Sequence, residues 1–330
     1  MAKKILSILV CVIAVTTTVI TRVTPVLAKM DPVQKAAALR QETYSLCKTR
    51  VNVPDEDMNW LYVPQQPSEL NSNVPYFFLA GQLIQSGAVD ASSCPAGGLA
   101  TDGFANACGL AVTLPEVTLL QNTFNEAILA AWETTGVPPV MLKQLIQTES
   151  QFWPTQWKEV HFGLGHLTYA GAVTGLTWYL PLRNEVCSES GGCTAVDNFS
   201  LPYQLLTLMD ASCPNCAIKI DVEKARRSIN LLAGVLMGFC YQTAQIIFNA
   251  TEMPSYYVVD YATIWKLTLL SYNTGPSCTF QMVQDAYNFH ERVLDWTDIR
   301  LFADDDLCQR GVAYVDQIIA PFYDFPAIGP

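Results

Sequence analysis

Positive charge is scarce in this chain and nowhere gathered. Its 330 residues hold 19 Lys and Arg against 30 Asp and Glu, a net charge of −11, and only 15% of residues carry a charge. No Lys/Arg-rich run occurs. Binding to a phosphate backbone needs clustered cations, so nucleic acid is excluded as the main partner. The same lack removes any electrostatic pull towards anionic membrane surfaces. Strongly alternating apolar and polar stretches are also missing, which argues against a sheet-built fold. What the chain has in quantity is apolar: half its residues, too many for a disordered polymer. The length allows one large domain or two smaller ones.

The N-terminus reads as an export signal over residues 1–28. Lys3 and Lys4 form a basic start, an apolar run follows, and Val26-Leu27-Ala28 offers small residues for cleavage before Lys29. An uncleaved N-terminal anchor is the alternative, with Arg22 interrupting a run marginal for a full span. Cleavage would remove three cations and no acid, taking the net charge from −11 to −14. The expected location is secreted or at the cell envelope. Of eleven cysteines, all but Cys11 lie beyond that segment, an even set that reads as disulfides in an oxidising compartment. Cys187, Cys193, Cys213 and Cys216 could instead make a four-cysteine zinc site, and Cys213-Pro-Asn-Cys216 a redox pair. Export favours bridges, and no thioredoxin-like pattern surrounds the pair. Loop closure alone suggests Cys94–Cys108 and Cys187–Cys193.

Residues 29–112 read as a separate region: a helix over 29–50, a loop over 51–74, a short helix over 75–87, and a cysteine-stapled loop over 88–109. No catalytic constellation occurs in it, and its expected role is to brace or extend a groove. From Thr113 the periodicity sharpens. Thr113-Leu114-Pro115-Glu116 is a capping-box pattern, and Val117, Leu120, Phe124, Ala127, Ile128 and Ala131 mark one helical face up to Gly136. A helix is expected over 169–182. Residues 183–220 read as an insertion that rims the groove. Asp221 caps a further helix whose run from Leu231 to Cys240 is too short to span a bilayer and reads as core. Another helix is expected over 260–272, then helical turns to 320.

The stretch 137–154, VPPVMLKQLIQTESQFWP, carries the chemistry. Pro138 and Pro139 can open a helix. Leu142, Leu145, Ile146 and Glu149 then fall at i, i+3, i+4 and i+7 on one face. A carboxyl on a buried stripe is costly as an anion, so its pKa rises and it can donate a proton near neutrality. Sugar-cleaving enzymes need such an acid. The plainer alternative is a helix end, with Glu149 bending out to water. The aromatic residues Trp153, Trp157, Phe162, Tyr169, Trp178 and Tyr179 could stack on sugar rings or fill the core.

Glu149-Ser150-Gln151-Phe152-Trp153-Pro154 resembles the Glu-Ser-x-Phe-x-Pro signature of the lytic transglycosylases, relatives of goose-type lysozyme. Gly163-Leu164-Gly165-His166-Leu167-Thr168 resembles the second motif of that family, Gly-Leu-Met-Gln-Leu-Thr. Ser271-Tyr272-Asn273-Thr274-Gly275-Pro276 resembles the third, Ala-Tyr-Asn-Ala-Gly-Pro. Asn230-Leu231-Leu232-Ala233-Gly234 stands where the family has a core helix with Asn-Ile-x-x-Gly. The likeness covers about half the chain, residues 115–280. One departure is plain: Gly165-His166 replaces Met-Gln, so an imidazole stands where the family has an amide.

The resemblance implies a mostly α, lysozyme-like domain over 113–290, with the insertion 183–220 and a C-terminal extension over 291–330. It implies a substrate, peptidoglycan glycan strands, and a reaction. Glu149 would protonate the bridging oxygen of the β-1,4 bond between N-acetylmuramic acid and N-acetylglucosamine, then act as base on the muramoyl 6-hydroxyl to close a 1,6-anhydro ring. Tyr272 would donate a hydrogen bond to Glu149, and Ser150, Gly163, Leu164, His166 and Asn273 would form the substrate-binding set. No metal or cofactor is expected. Glu159, Glu185 and Asp197 are the nearest other acids, and each reads as a solvated charge rather than a second catalytic group. The alternatives are a goose-type lysozyme-like hydrolase, which needs a water-activating acid, and a non-catalytic glycan-binding wall protein.

Overall fold

The computed structural model describes residues 43–51, 56–156, 160–189, 200–216 and 218–320. The expected signal segment and residues 29–42 of the helix expected over 29–50 lie outside them; of that helix the described part holds one turn, Ser45–Lys48. The described residues are mostly helical and contain no strand, only isolated bridges such as Phe162 with Leu167. The helices that matter here are α1 (Phe77–Gln85), α2 (Ala107–Thr123), α3 (Asn125–Thr135), α4 (Pro139–Ser150), α5 (Tyr169–Trp178), α6 (Leu180–Glu189), α7 (Leu201–Met209), α8 (Val222–Thr251), α9 (Tyr261–Thr274), α10 (Pro276–His290), α11 (Trp296–Arg300) and α12 (Asp306–Ile319).

The centre is α8. Asp221 caps it by accepting from the Lys224 amide, as its position predicts. The apolar run from Leu231 to Cys240 is part of a helix of 30 residues, long enough in itself to cross a membrane. Its most apolar window is 78% buried inside the protein, which makes it the core helix. Helices α3, α5, α9 and α10 pack around it. The α5–α8 crossing is close because both sides are glycine: a Cβ on Gly238 would lie 2.6 Å from the Gly175 Cα.

Two boundaries differ from those expected. The helix over 115–135 begins earlier, at Ala107, where the Asn106 side chain accepts from the Gly109 amide. That stronger cap leaves Pro115 inside α2, and the chain breaks at Phe124 before α3. The helix over 169–182 is interrupted at Tyr179, whose extended backbone separates α5 from α6.

Helix α4 opens at Pro138-Pro139 as expected, but it is not one-faced. Every residue from Pro139 to Gln147 is buried, including Lys143 and Gln144. Helices α3 and α12 and the turn Glu56–Leu61 enclose it. Burial pushes the Lys143 amine down to about 7. Its Nζ donates to the Leu70 carbonyl, to Asn125 Oδ1 at 2.7 Å and to Asn122 Oδ1 at 3.2 Å. The N-terminal region is thereby fastened to the back of α4.

Disulfides join Cys47–Cys240, Cys94–Cys108, Cys213–Cys216 and Cys278–Cys308. Cys94–Cys108 is the local bridge expected. Cys187 is also disulfide-bonded, so with Cys213–Cys216 three of the four members of the zinc quartet carry no thiolate. Its expected partner Cys193 lies outside the described residues.

Candidate active site

Helix α4 ends one residue after Glu149. Gln151 and Phe152 both take left-handed backbone angles, φ 48° and 68°, and turn the chain sharply. Such a pair of non-glycine residues needs outside support. Gln151 Oε1 accepts from the Phe78 amide at 3.1 Å, and the buried Phe152 ring packs against Tyr76 with centroids 5.8 Å apart. The N-terminal region therefore braces the turn that presents the carboxyl.

The second motif folds into a tight turn closed by the Phe162–Leu167 bridge. Gly163 has φ 66°, and a Cβ there would sit 2.4 Å from the Met209 carbonyl oxygen. His166 also takes a left-handed angle, φ 46°. Thr168 then caps α5 by accepting from the Gly171 amide. Ser150 ties the first motif to this turn, its hydroxyl donating to the Leu164 carbonyl at 2.7 Å. Tyr272 ties the third, its hydroxyl donating to the Gly165 carbonyl at 2.5 Å. Two neighbouring segments and a third more than 100 residues away thus meet at Glu149.

The Glu149 side chain is 16% exposed. Burial pushes its carboxyl up to about 7, and a hydrogen bond from Tyr314 to Oε1 at 2.5 Å pulls the other way. The C-terminal end of α4 adds its negative dipole to the upward push. His166 Nδ1 stands 3.8 Å from Glu149 Oε2, beyond hydrogen-bond reach. Burial and the stacked His161 ring, 5.5 Å away, push His166 down to about 4. Its imidazole is neutral near neutrality, so the two do not form an ion pair. Burial also pushes the Tyr272 and Tyr314 phenols up, so both remain protonated donors. The arrangement can hold and release one proton on one carboxyl near neutral pH.

No protein family, no curated protein and no solved structure matches this chain. The chemistry of the site is therefore what bears on function.

Several expected roles change. Tyr272 does not donate to Glu149. Its hydroxyl reaches the Gly165 carbonyl because Gly165 has no side chain: a Cβ there would lie 2.9 Å from that hydroxyl and 2.4 Å from Leu232 Cδ1. Tyr314, in the stretch read as an extension, donates instead. Ser150 and Leu164 are buried, and the Ser150 hydroxyl is shared between the Leu164 carbonyl and, at 3.2 Å, the Ile146 carbonyl, so they shape the site rather than face a ligand. Gly163 serves the turn. His166 lies at the carboxyl, and Asn273 is exposed at the end of α9. Among the aromatics, Trp153 is core, Phe162, Trp178 and Tyr179 are half-buried, and Tyr169 is exposed. Trp157, Glu159 and Asp197 lie outside the described residues. Glu185 is occupied elsewhere, accepting from Asn230 Nδ2 at 3.0 Å.

A signal for Tyr314 did exist. Gly311, Tyr314, Val315 and Ile318 fall at i, i+3, i+4 and i+7, the same spacing as the stripe that carries Glu149. A tyrosine on a buried stripe needs a partner for its hydroxyl. Gly311 lets α12 close on α9, since a Cβ there would lie 2.4 Å from Thr274 Cγ2, and Cys278–Cys308 fastens the start of α12 to α10. Among the described residues the one group spaced for a metal is Cys278, Asp305 and Cys308, and its sulfurs are bonded to each other.

Proposed function

We propose that this chain is a peptidoglycan lytic transglycosylase on a lysozyme-like helical scaffold, with Glu149 as general acid and then base. The observation that carries this reading is the environment of Glu149. A carboxyl pushed up to about 7 can protonate a glycosidic oxygen near neutrality and, once ionised, accept a proton from the muramoyl 6-hydroxyl. Tyr314 holds Oε1 and steadies the anion formed after the first transfer. The meeting of the Glu149-Ser150, Gly163–Thr168 and Tyr272-Asn273 segments at one point supports the same reading. One carboxyl suffices when the substrate supplies its own nucleophile, whereas most glycosidases use two.

Mass spectrometry of fragments released from purified peptidoglycan tests the reaction. Muropeptides ending in 1,6-anhydro rings are expected. Reducing ends carrying heavy oxygen from labelled water would replace this reading with hydrolysis, and no release at all would leave a glycan-binding wall protein.

A further inference from the structure

Tyr169 and Tyr203 form a pair at the protein surface. Their ring centroids are 4.8 Å apart and their planes are inclined by 46°. They remain 41% and 63% exposed, unusual for rings that already touch. Neither hydroxyl is hydrogen-bonded to protein among the described residues. Val173, one helical turn beyond Tyr169 on the same side of α5, is 38% exposed and extends the apolar floor.

Both rings stand on the frame that holds Glu149. Tyr169 is the first residue of α5, directly after the Thr168 cap. It is three positions from His166, at most about 11 Å of extended chain. Tyr203 lies in the first turn of α7, and the end of that helix is locked to the site. The Ala211 amide donates to the Pro154 carbonyl at 3.0 Å, the Gln156 amide to Asp210 Oδ1 at 2.9 Å, and Gly163 packs on the Met209 carbonyl.

We propose that Tyr169 and Tyr203 are a stacking platform for a pyranose ring of the glycan strand, at a subsite beside the bond that Glu149 cleaves. The placement beside a cleaved bond rests on the function proposed above; the binding of a sugar ring does not. A pyranose offers a face of C–H groups bordered by hydroxyls. A tyrosine offers an electron-rich face for the former and a free hydroxyl for the latter. The platform carries no charge of its own, which suits a neutral N-acetylated sugar.

Calorimetric titration of the Glu149→Gln chain with a peptide-free N-acetylglucosamine hexamer tests this without turnover. Tyr169→Ala and Tyr203→Ala should each weaken binding about tenfold, while Tyr203→Phe, which keeps the ring and loses only the hydroxyl, should weaken it by clearly less. In the otherwise unchanged enzyme the loss in kcat/KM should fall mainly on KM. Melting curves of these surface variants should match the parent. Alanine variants that bind as tightly as the parent would overturn the platform. So would a Phe variant as weak as Ala, or a parent that binds only strands bearing peptide stems. If Glu149→Gln still cleaved, the catalytic reading would fall while the binding result stood.

Discussion

At the scale of single residues, Glu149 governs two measurable properties. Glu149→Gln keeps the shape and the Tyr314 contact but cannot donate a catalytic proton, so the expected loss is at or beyond about 10⁴-fold in rate. Its effect on stability depends on pH. The folded carboxyl titrates near 7 and the unfolded one near its ordinary value of 4.5. Between those values the unfolded chain has lost the proton that the fold still holds. The wild type therefore loses stability as pH rises through that window. The cost is absent below 4.5, complete above 7, and on the order of 3 kcal/mol. Thermal melts should show the two proteins alike at the acid end and Glu149→Gln higher at the alkaline end. Activity itself should fall as pH rises through about 7, when the acid loses its proton. Tyr314→Phe removes a bond that favours the carboxylate, so the alkaline limb should move to higher pH and kcat/KM should drop about tenfold. Tyr272→Phe should leave the limb in place and cost about 1 to 3 kcal/mol of stability, since it strands the Gly165 carbonyl. A limb that moved for Tyr272→Phe and not for Tyr314→Phe would reverse these two roles.

At the scale of elements, α4 works because it is enclosed on all sides. Lys143 gathers three oxygens against it, the Leu70 carbonyl of the N-terminal region and the side-chain oxygens of Asn122 and Asn125. Lys143→Met fills much the same space but takes the donor from the Leu70 and Asn125 oxygens, while Asn122 Oδ1 keeps the Ser72 amide at 2.9 Å. Urea unfolding should show a loss of about 2 to 4 kcal/mol, and little change would mean that water replaces the amine. The α9–α12 contact is equally tight. Gly311→Ala would force a methyl against Thr274 and Leu270, with a cost of about 1 to 3 kcal/mol. It should also pull Tyr314 away from Glu149 and so shift the alkaline limb as Tyr314→Phe does. A variant that is destabilised with an unmoved limb would separate the helix crossing from the site.

At the scale of the whole molecule, the bridges decide how far the chain can open. Cys47–Cys240 joins residues 193 positions apart and anchors the N-terminal region to the core helix. Removing both partners as serines should lower stability by about 2 to 5 kcal/mol, the greater part through a less constrained unfolded state. Thiol titration of the exported, denatured protein should find close to no free thiol. Several titrating thiols would show that the chain matures in a reducing compartment.

How much of this was legible in the sequence follows from the range of each interaction. Helix starts at Pro138, Asp221 and Asp260 are local: Pro139 at the first helical position has its backbone angle preset, and each Asp side chain accepts from the amide three residues on. The stripe carrying Glu149 is local too, since residues at i, i+3 and i+4 share a face whatever surrounds the helix. The short Cys94–Cys108 bridge needed only its own loop. Tertiary structure decided which hydroxyl meets which oxygen. Tyr314 and Glu149 are 165 residues apart, and Tyr272 and Gly165 are 107 apart. Their pairing depends on close approaches at Gly165 and Gly311, where an added methyl would collide with Leu232 or with Thr274. Lys143 is buried for the same kind of reason: nothing in its own helix marks it, and the oxygens that accept from it come from Leu70, Asn122 and Asn125. Periodicity states which face turns inward, whereas the identity of the neighbour depends on the packing of every other element against that face.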